Sequence, residues 1–251
     1  MTLAAVKVAP LAVVLILVAS LVFSGVAQST SPGAQLLGCG QAITSSVTLH
    51  NDIGPCAGDG LDVSANNVNI NCAGHTITGT GTQSSFGILV AGATNVHVNN
   101  CHIIGFYFDV GVVSSARVSL LNSVADSATG YGIWVFSSTE SHFINNTVRD
   151  SSSGFLIQSS SNNLVQNNTS VGNPYNGFTV VYTGSPYQNQ GNKFVGNLAE
   201  GNAGYGFCDL GQGNPCNYPP PPVVGFANTY QDNVCIGNNL GGSYPANLCS
   251  P

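Results

Sequence analysis

Charge is what this sequence has least of. Only 6% of its 251 residues are charged, against about a quarter in an average soluble domain. Lys and Arg number 4, Asp and Glu 10, and the formal charge is −6. With Lys7 in the N-terminal segment, only Arg117, Arg149 and Lys193 remain for the rest of the chain. Nucleic-acid binding needs many phosphate-neutralising cations and is excluded. Tight binding of an anionic polysaccharide is disfavoured for the same Coulombic reason unless metal ions bridge. No CxxC pair occurs and no Cys and His cluster stands at zinc spacing, which argues against a zinc site. Helical periodicity is missing, and so is the repeated Leu pattern of leucine-rich repeats. Disorder is also excluded, because 43% of the residues are hydrophobic and few charges repel one another. Asn, Ser, Thr and Gly carry the polarity instead.

What is there begins with an apolar N-terminus. Residues 1–27 combine Lys7, an apolar run from Val8 to Phe23 and the small residues Gly25, Val26 and Ala27. That pattern reads as a signal peptide, or as a retained membrane anchor, since the run is just long enough to span a bilayer. Both readings place the remainder outside the cytoplasm, extracellular or in the cell envelope. All eight Cys follow this segment, and an even number in an exported chain points to disulfides.

The main signal is a repeat. Gly followed by an apolar segment recurs at Gly60, Gly87, Gly111, Gly132, Gly154, Gly177 and Gly206. One residue after each stand Leu61, Ile88, Val112, Ile133, Phe155, Phe178 and Phe207, all apolar. A second landmark is an Asn in each period: Asn100, Asn122, Asn146, Asn168, Asn197 and Asn233. A period of roughly 23 residues, with short strands and turns rich in Gly, Asn and Ser, predicts stacked coils of a β-solenoid. An inward Asn ladder would pair amide to amide and to backbone at a turn.

The segments NNVNINCAGHTITGTG at 66–81 and TNVHVNNCHIIGF at 94–106 resemble the opening coils of parallel β-helix repeat proteins. These form the pectin-lyase-like superfamily, and the likeness is to its NosD-like group, over residues 39 to 240. The resemblance implies an all-β, single-stranded right-handed parallel β-helix with N- and C-terminal caps. The expected organisation is a signal peptide or anchor at 1–27, a linker and cap at 28–58, the β-helix at 59–240 and a tail at 241–251. The fold hosts lyases, hydrolases, epimerases and adhesins, so function rests on particular residues. The adjacent aspartates of galacturonan hydrolases and the Asp-Pro-His of alginate epimerases are absent from this sequence. Gly74-His75 lies in a generic turn, so His75 is read as structural.

Candidate bridges are Cys39 with Cys56 around the first cap, Cys235 with Cys249 at the far end, and Cys208 with Cys216 across a short loop. Cys72 and Cys101 either pair between neighbouring coils or sit buried as small apolar residues. The distance from repeat Gly to landmark Asn is 13 residues from Gly87, 11 from Gly111 and 14 from Gly132 and Gly154. It rises to 20 from Gly177 and 27 from Gly206, marking two enlarged loops with Tyr182, Tyr187, Tyr218 and the run Pro219 to Pro222. Neighbouring long loops on a rigid scaffold carry function or close over the core.

Two residues after each Gly, an outward column holds Asp62, Leu89, Val113, Trp134, Leu156, Thr179 and Cys208. Trp134 stacks on a sugar ring or packs under a loop. Asp126 and Asp150 each follow the landmark Asn by four residues, so they are expected to stack, with Arg149 alongside. Such a pair shares a proton, binds Ca²⁺, serves as acid and nucleophile on a glycoside, or is merely solvated. His97, His102 and His142 fall near coil-equivalent positions without forming a close triplet. Asn145, Asn167 and Asn168 lie in N-x-Ser/Thr sequons. The leading expectation is a non-catalytic β-helix presenting a surface to polysaccharide, glycan or a cell-surface protein, with Trp134, Arg149, Tyr182, Tyr187 and Tyr218 as candidate contacts. The alternatives are a polysaccharide lyase or glycoside hydrolase built on Asp126 and Asp150 or on the loops, and a NosD-like metal-delivery accessory.

Overall fold

Short strands of three to six residues dominate the chain because β-branched and aromatic residues alternate with polar ones between turn residues. The computed structural model describes residues 36–183, 189–210 and 228–251. Every third strand returns to the same sheet, giving, among the described residues, one sheet of nine strands and two of eight, all paired in parallel. The first sheet runs from Gln41–Ile43 to Gly241–Tyr244, the second from Val47–Thr48 to Thr229–Gln231, and the third from Ile53–Cys56 to Val234–Ile236. The fold is the right-handed parallel β-helix. Among the described residues no helix is long and apolar enough to cross a membrane. The predicted signal or anchor segment lies outside the described residues, as do Tyr187, Cys216, Tyr218 and Pro219 to Pro222.

The core is a set of columns. In the first sheet Ile88, Val110, Ile133, Phe155, Phe178 and Phe207 lie in register and are all buried. The Phe155, Phe178 and Phe207 rings stack at 4.8 and 4.5 Å. Opposite them the third sheet narrows from Ile103 and Val148 to Ser170 and Ala199. Large residues on one wall are matched by small ones on the other, as close packing demands.

The register corrects the sequence reading in two places. Val110, not Val112, aligns with Ile88 and Ile133. Gly111 therefore occupies the outward column between Leu89 and Trp134, and Val113 belongs with Ala91 and Phe136. The column otherwise filled by Gly87 and Gly132 holds Asp109 in this coil. The second slip concerns the asparagines. Asn100, Asn122, Asn145, Asn167, Gly196 and Asp232 share a left-handed corner, with φ of 54, 49, 57, 53, 64 and 53°. The inward ladder is the next residue along: Cys101, Ser123, Asn146, Asn168, Asn197 and Asn233. The landmark series mixed these two columns at Asn100 and Asn122.

Each inward Asn accepts a hydrogen bond from the backbone N–H of the coil before it. Asn146 N donates to Asn168 Oδ1 at 2.9 Å, Asn168 N to Asn197 Oδ1 at 2.9 Å, and Asn197 N to Asn233 Oδ1 at 2.9 Å. Each Nδ2 donates back to an earlier carbonyl, as Asn168 does to Phe143 at 2.8 Å. Three further corners repeat the device. One runs Ser115, Ser138, Ser160, Asn189, a second Ser141, Asn163, Asn192, Asn228, and a third Ser151, Asn173, Asn202, Asn238. Buried turn amides are thus satisfied without water. The sequon at Asn168 is closed to modification, because this side chain is 1% exposed.

The bridges Cys39–Cys56, Cys72–Cys101 and Cys235–Cys249 are formed. The proposed Cys208–Cys216 bridge reaches outside the described residues.

Candidate functional site

The expected stack of Asp126 on Asp150 does not form. The one-residue slip of the Asn column carries through to the next strand, so Asp126 pairs in register with Arg149. Arg149 donates to Asp126 Oδ2 from Nη2 at 2.6 Å and from Nε at 2.9 Å. Ser127 Oγ donates to Oδ1 at 2.7 Å, and His102 Nε2 lies 3.7 Å from Oδ2. Burial alone would raise the Asp126 pKa; the Ser127 and Arg149 hydrogen bonds outweigh it and hold the carboxyl below the usual range. An ionised carboxylate clamped by a guanidinium is poorly suited to donate a proton. Asp150 occupies an exposed left-handed corner with φ of 52°. A shared proton or a bridging Ca²⁺ between the two loses its geometric basis.

The outward face of the first sheet is aromatic. Phe86 and Phe108 stack at 4.8 Å, Phe108 and Trp134 at 4.6 Å, and Trp134 and Phe136 at 5.4 Å. Phe86, Phe108 and Tyr131 lie in register, while Trp134 aligns with Gly111 and leans over the gap onto the Phe108 ring. Gly111 leaves the space, since a Cβ there would lie 2.6 Å from the Phe86 ring. Trp134 therefore spends a face on Phe108 and directs its Nε1–H to Gln158 Oε1 at 2.9 Å. Gln158 Nε2 donates in turn to Thr183 Oγ1 at 2.9 Å. Trp134 is thereby fixed by the Phe108 ring and by Gln158.

Beside this ladder, where the third sheet turns into the first, opens a cleft of about 610 Å³. Its floor is small: Gly130, Ser152 and Ser153. Tyr107, Tyr131, Tyr175, Tyr182, Gln158 and Thr183 also line it. The backbone bonds Gly130 N to Tyr107 O, Ser153 N to Gly130 O and Tyr175 N to Ser152 O place Tyr107 and Tyr175 on coils three apart. At the usual strand separation that is about 14 Å along the helix axis. Gly130 is required, because a Cβ there would come 2.7 Å from the Tyr107 carbonyl. Burial raises the Tyr131 phenol pKa, and the nearby Tyr107 and Tyr175 hydroxyls add to the rise. No Asp, Glu, Lys, Arg or His is among the described lining residues.

Tyr182 thus lines this cleft, and Arg149 is not among its described lining residues. The sequence reading missed Tyr107, Tyr131 and Tyr175. The signal was the regular coil length: Tyr107, Gly130, Ser152 and Tyr175 are 22 or 23 residues apart, and small residues between two aromatics in one column make a gap.

A family model described as "Periplasmic copper-binding protein (NosD)" matches residues 39–244. No curated protein matches the chain. Among solved structures, the GH136 lacto-N-biosidase from Eubacterium ramulus is similar at TM-score 0.50 and 11% identity, with 83% of this chain and 44% of that one covered. The chain thus spans less than half the length of that enzyme. An alginate lyase from Paenibacillus sp. str. FPU-7 is similar at TM-score 0.39 and 13% identity, covering 84% and 88% of the two chains. The A-module of a mannuronan C-5 epimerase from Azotobacter vinelandii gives 0.35 and 10%, covering 78% and 66%. At these identities the likeness is one of fold alone.

Proposed function

The chain belongs to the family described as periplasmic copper-binding protein (NosD), and within it we propose that this member is a non-catalytic β-helix that binds glycan outside the cytoplasm. The observation that carries the reading is the tyrosine-lined cleft on a rigid wall of sheet. Ligand sites of about 300–1,000 Å³ with aromatic walls and a few converging polar groups are the usual form for small organic ligands. Tyrosine suits a sugar, giving an apolar face to the ring and a hydroxyl to its oxygens. The three disulfides among the described residues support an oxidising, extracytoplasmic location.

The family's printed name raises copper, and the described residues do not fit it. Among them no group of three or more His, Cys, Asp or Glu comes together. His97 and His142 share a column but are separated by Ser119, and His102 belongs to another sheet. Cys39, Cys56, Cys72, Cys101, Cys235 and Cys249 are held in disulfides, which removes the thiolates a soft metal prefers. The enzyme reading loses support for a related reason. The carboxylate nominated as acid or nucleophile, Asp126, is held by Arg149, and the cleft lining described has no carboxylate.

The test is retention on a glycan array and in pull-downs with insoluble polysaccharides, using the purified chain. Binding without product formation is expected. New reducing ends or unsaturated products from any bound polysaccharide would overturn the non-catalytic reading.

A further inference from the structure

We infer that the cleft selects a short neutral oligosaccharide, lying along the helix axis between Tyr107 and Tyr175, and rejects uronates. This deepens the glycan reading and rests on it. The first ground is charge. The described cations lie elsewhere: Arg149 is bound to Asp126 at 2.6 Å, Arg117 to Glu140 at 3.4 Å, and Lys193 is exposed on the second sheet. With a formal charge of −6 on the chain and no cation in the described lining, a carboxylate entering the cleft would leave water with no counter-charge to meet it.

The second ground is donor and acceptor chemistry. Hydroxyls of tyrosine, Ser152 and Thr183 each both donate and accept, as sugar hydroxyls do. Gln158 is already oriented, its Oε1 taken by Trp134 and its Nε2 by Thr183, so that border of the cleft is preformed. The third ground is shape. Small residues, Gly130, Ser152 and Ser153, lie on the coils between Tyr107 and Tyr175, whose backbones are about 14 Å apart along the axis. This suits a linear chain of rings better than a compact anion. Tyr175, 48% exposed at the open end, is the residue placed to cover a sugar face.

The experiment is isothermal titration of the full chain with cellotriose, laminaritriose and chitotriose, with tri-galacturonate as the acidic probe. Two variants accompany it: Tyr175→Ala, which removes an exposed wall, and Ser152→Trp, which fills the floor. Far-UV circular dichroism checks that both fold. At least one neutral trisaccharide is expected to bind, to weaken by about tenfold or more in Tyr175→Ala and to be lost in Ser152→Trp, while tri-galacturonate gives no heat. Tri-galacturonate binding as tightly as the best neutral sugar overturns the selectivity. Neutral binding that survives in both folded variants overturns the cleft as the site but leaves the glycan reading standing. If neither the trisaccharides nor a broad glycan array is bound, both fall together.

Discussion

Asp109 occupies the position that neighbouring coils give to glycine. At Gly87 a Cβ would collide with Ile103, at Gly132 with Val148 and at Gly154 with Ser170. Asp109 is tolerated because the register sets it opposite Ala125, which aligns with Ile103 and Val148. It is fully buried and accepts from Phe106 N at 3.1 Å, with the backbone of Asp126 beside the carboxyl. Burial pushes its pKa well above the model-compound value of 3.8. A raised carboxyl binds its proton more tightly in the folded state. Its stabilising contribution is therefore complete below the unfolded pKa and declines as pH rises toward the folded one. Urea midpoints of the wild type should carry this downward contribution as pH rises above the ordinary carboxylate range, and Asp109→Asn should lack it. A variant with the wild-type pH profile would show that Asp109 is not the group responsible. At the other kind of position, Gly154→Ala should cost about 3 kcal/mol in the same measurement, because its Cβ meets Ser170 Oγ and the Gly177 carbonyl.

At the scale of the elements, stability is set at the corners as much as in the strands. Asn168 accepts from Asn146 N, donates to Phe143 O and Asn197 Oδ1, and lies 1% exposed. Asn168→Ala strands a buried N–H and a buried carbonyl, and about 3 kcal/mol of unfolding free energy should be lost. Asn168→Ser should cost less, since Ser123 already serves this ladder by accepting from Cys101 N at 3.2 Å. Its neighbour Asn167 does a different job: it is exposed with φ of 53°, and Gly196 fills the same corner in the next coil. Asn167→Gly should change stability by only a few tenths of a kcal/mol. Equal effects at Asn167 and Asn168 in urea titrations would contradict the separation of the two columns.

For the solenoid as a whole, each coil touches only its neighbours, so the ends are the weak points. Cys39–Cys56 and Cys235–Cys249 sit at those ends, and Cys72–Cys101 ties neighbouring coils near the first. Reduction should lower stability by about 2–4 kcal/mol per bridge that opens. Amide exchange followed by mass spectrometry should then show protection lost first at Gln41–Ile43 and Gly241–Tyr244. Exchange at Ile133 and Phe155 should remain slow. Uniform loss along the chain would mean that the coils unfold as one unit.

The sequence by itself determined the coil. A period of about 23 residues, apolar columns and turns rich in Gly, Asn and Ser suffice, because parallel stacking reads local pattern directly. It also nominated the pairs Cys39 with Cys56 and Cys235 with Cys249, which the structure forms, while connectivity itself was fixed only by the fold. Register was decided only in three dimensions. Gly111 copied the repeat glycine while Asp109 held its place, and only the 11-residue interval to Asn122 betrayed the slip. A one-residue shift among the asparagines then exchanged Arg149 for Asp150 as the neighbour of Asp126, turning a supposed carboxylate pair into an ion pair. The cleft was hidden for the same reason: Tyr107, Gly130, Ser152 and Tyr175 are far apart along the chain, and only the stacking of coils brings them into one trough.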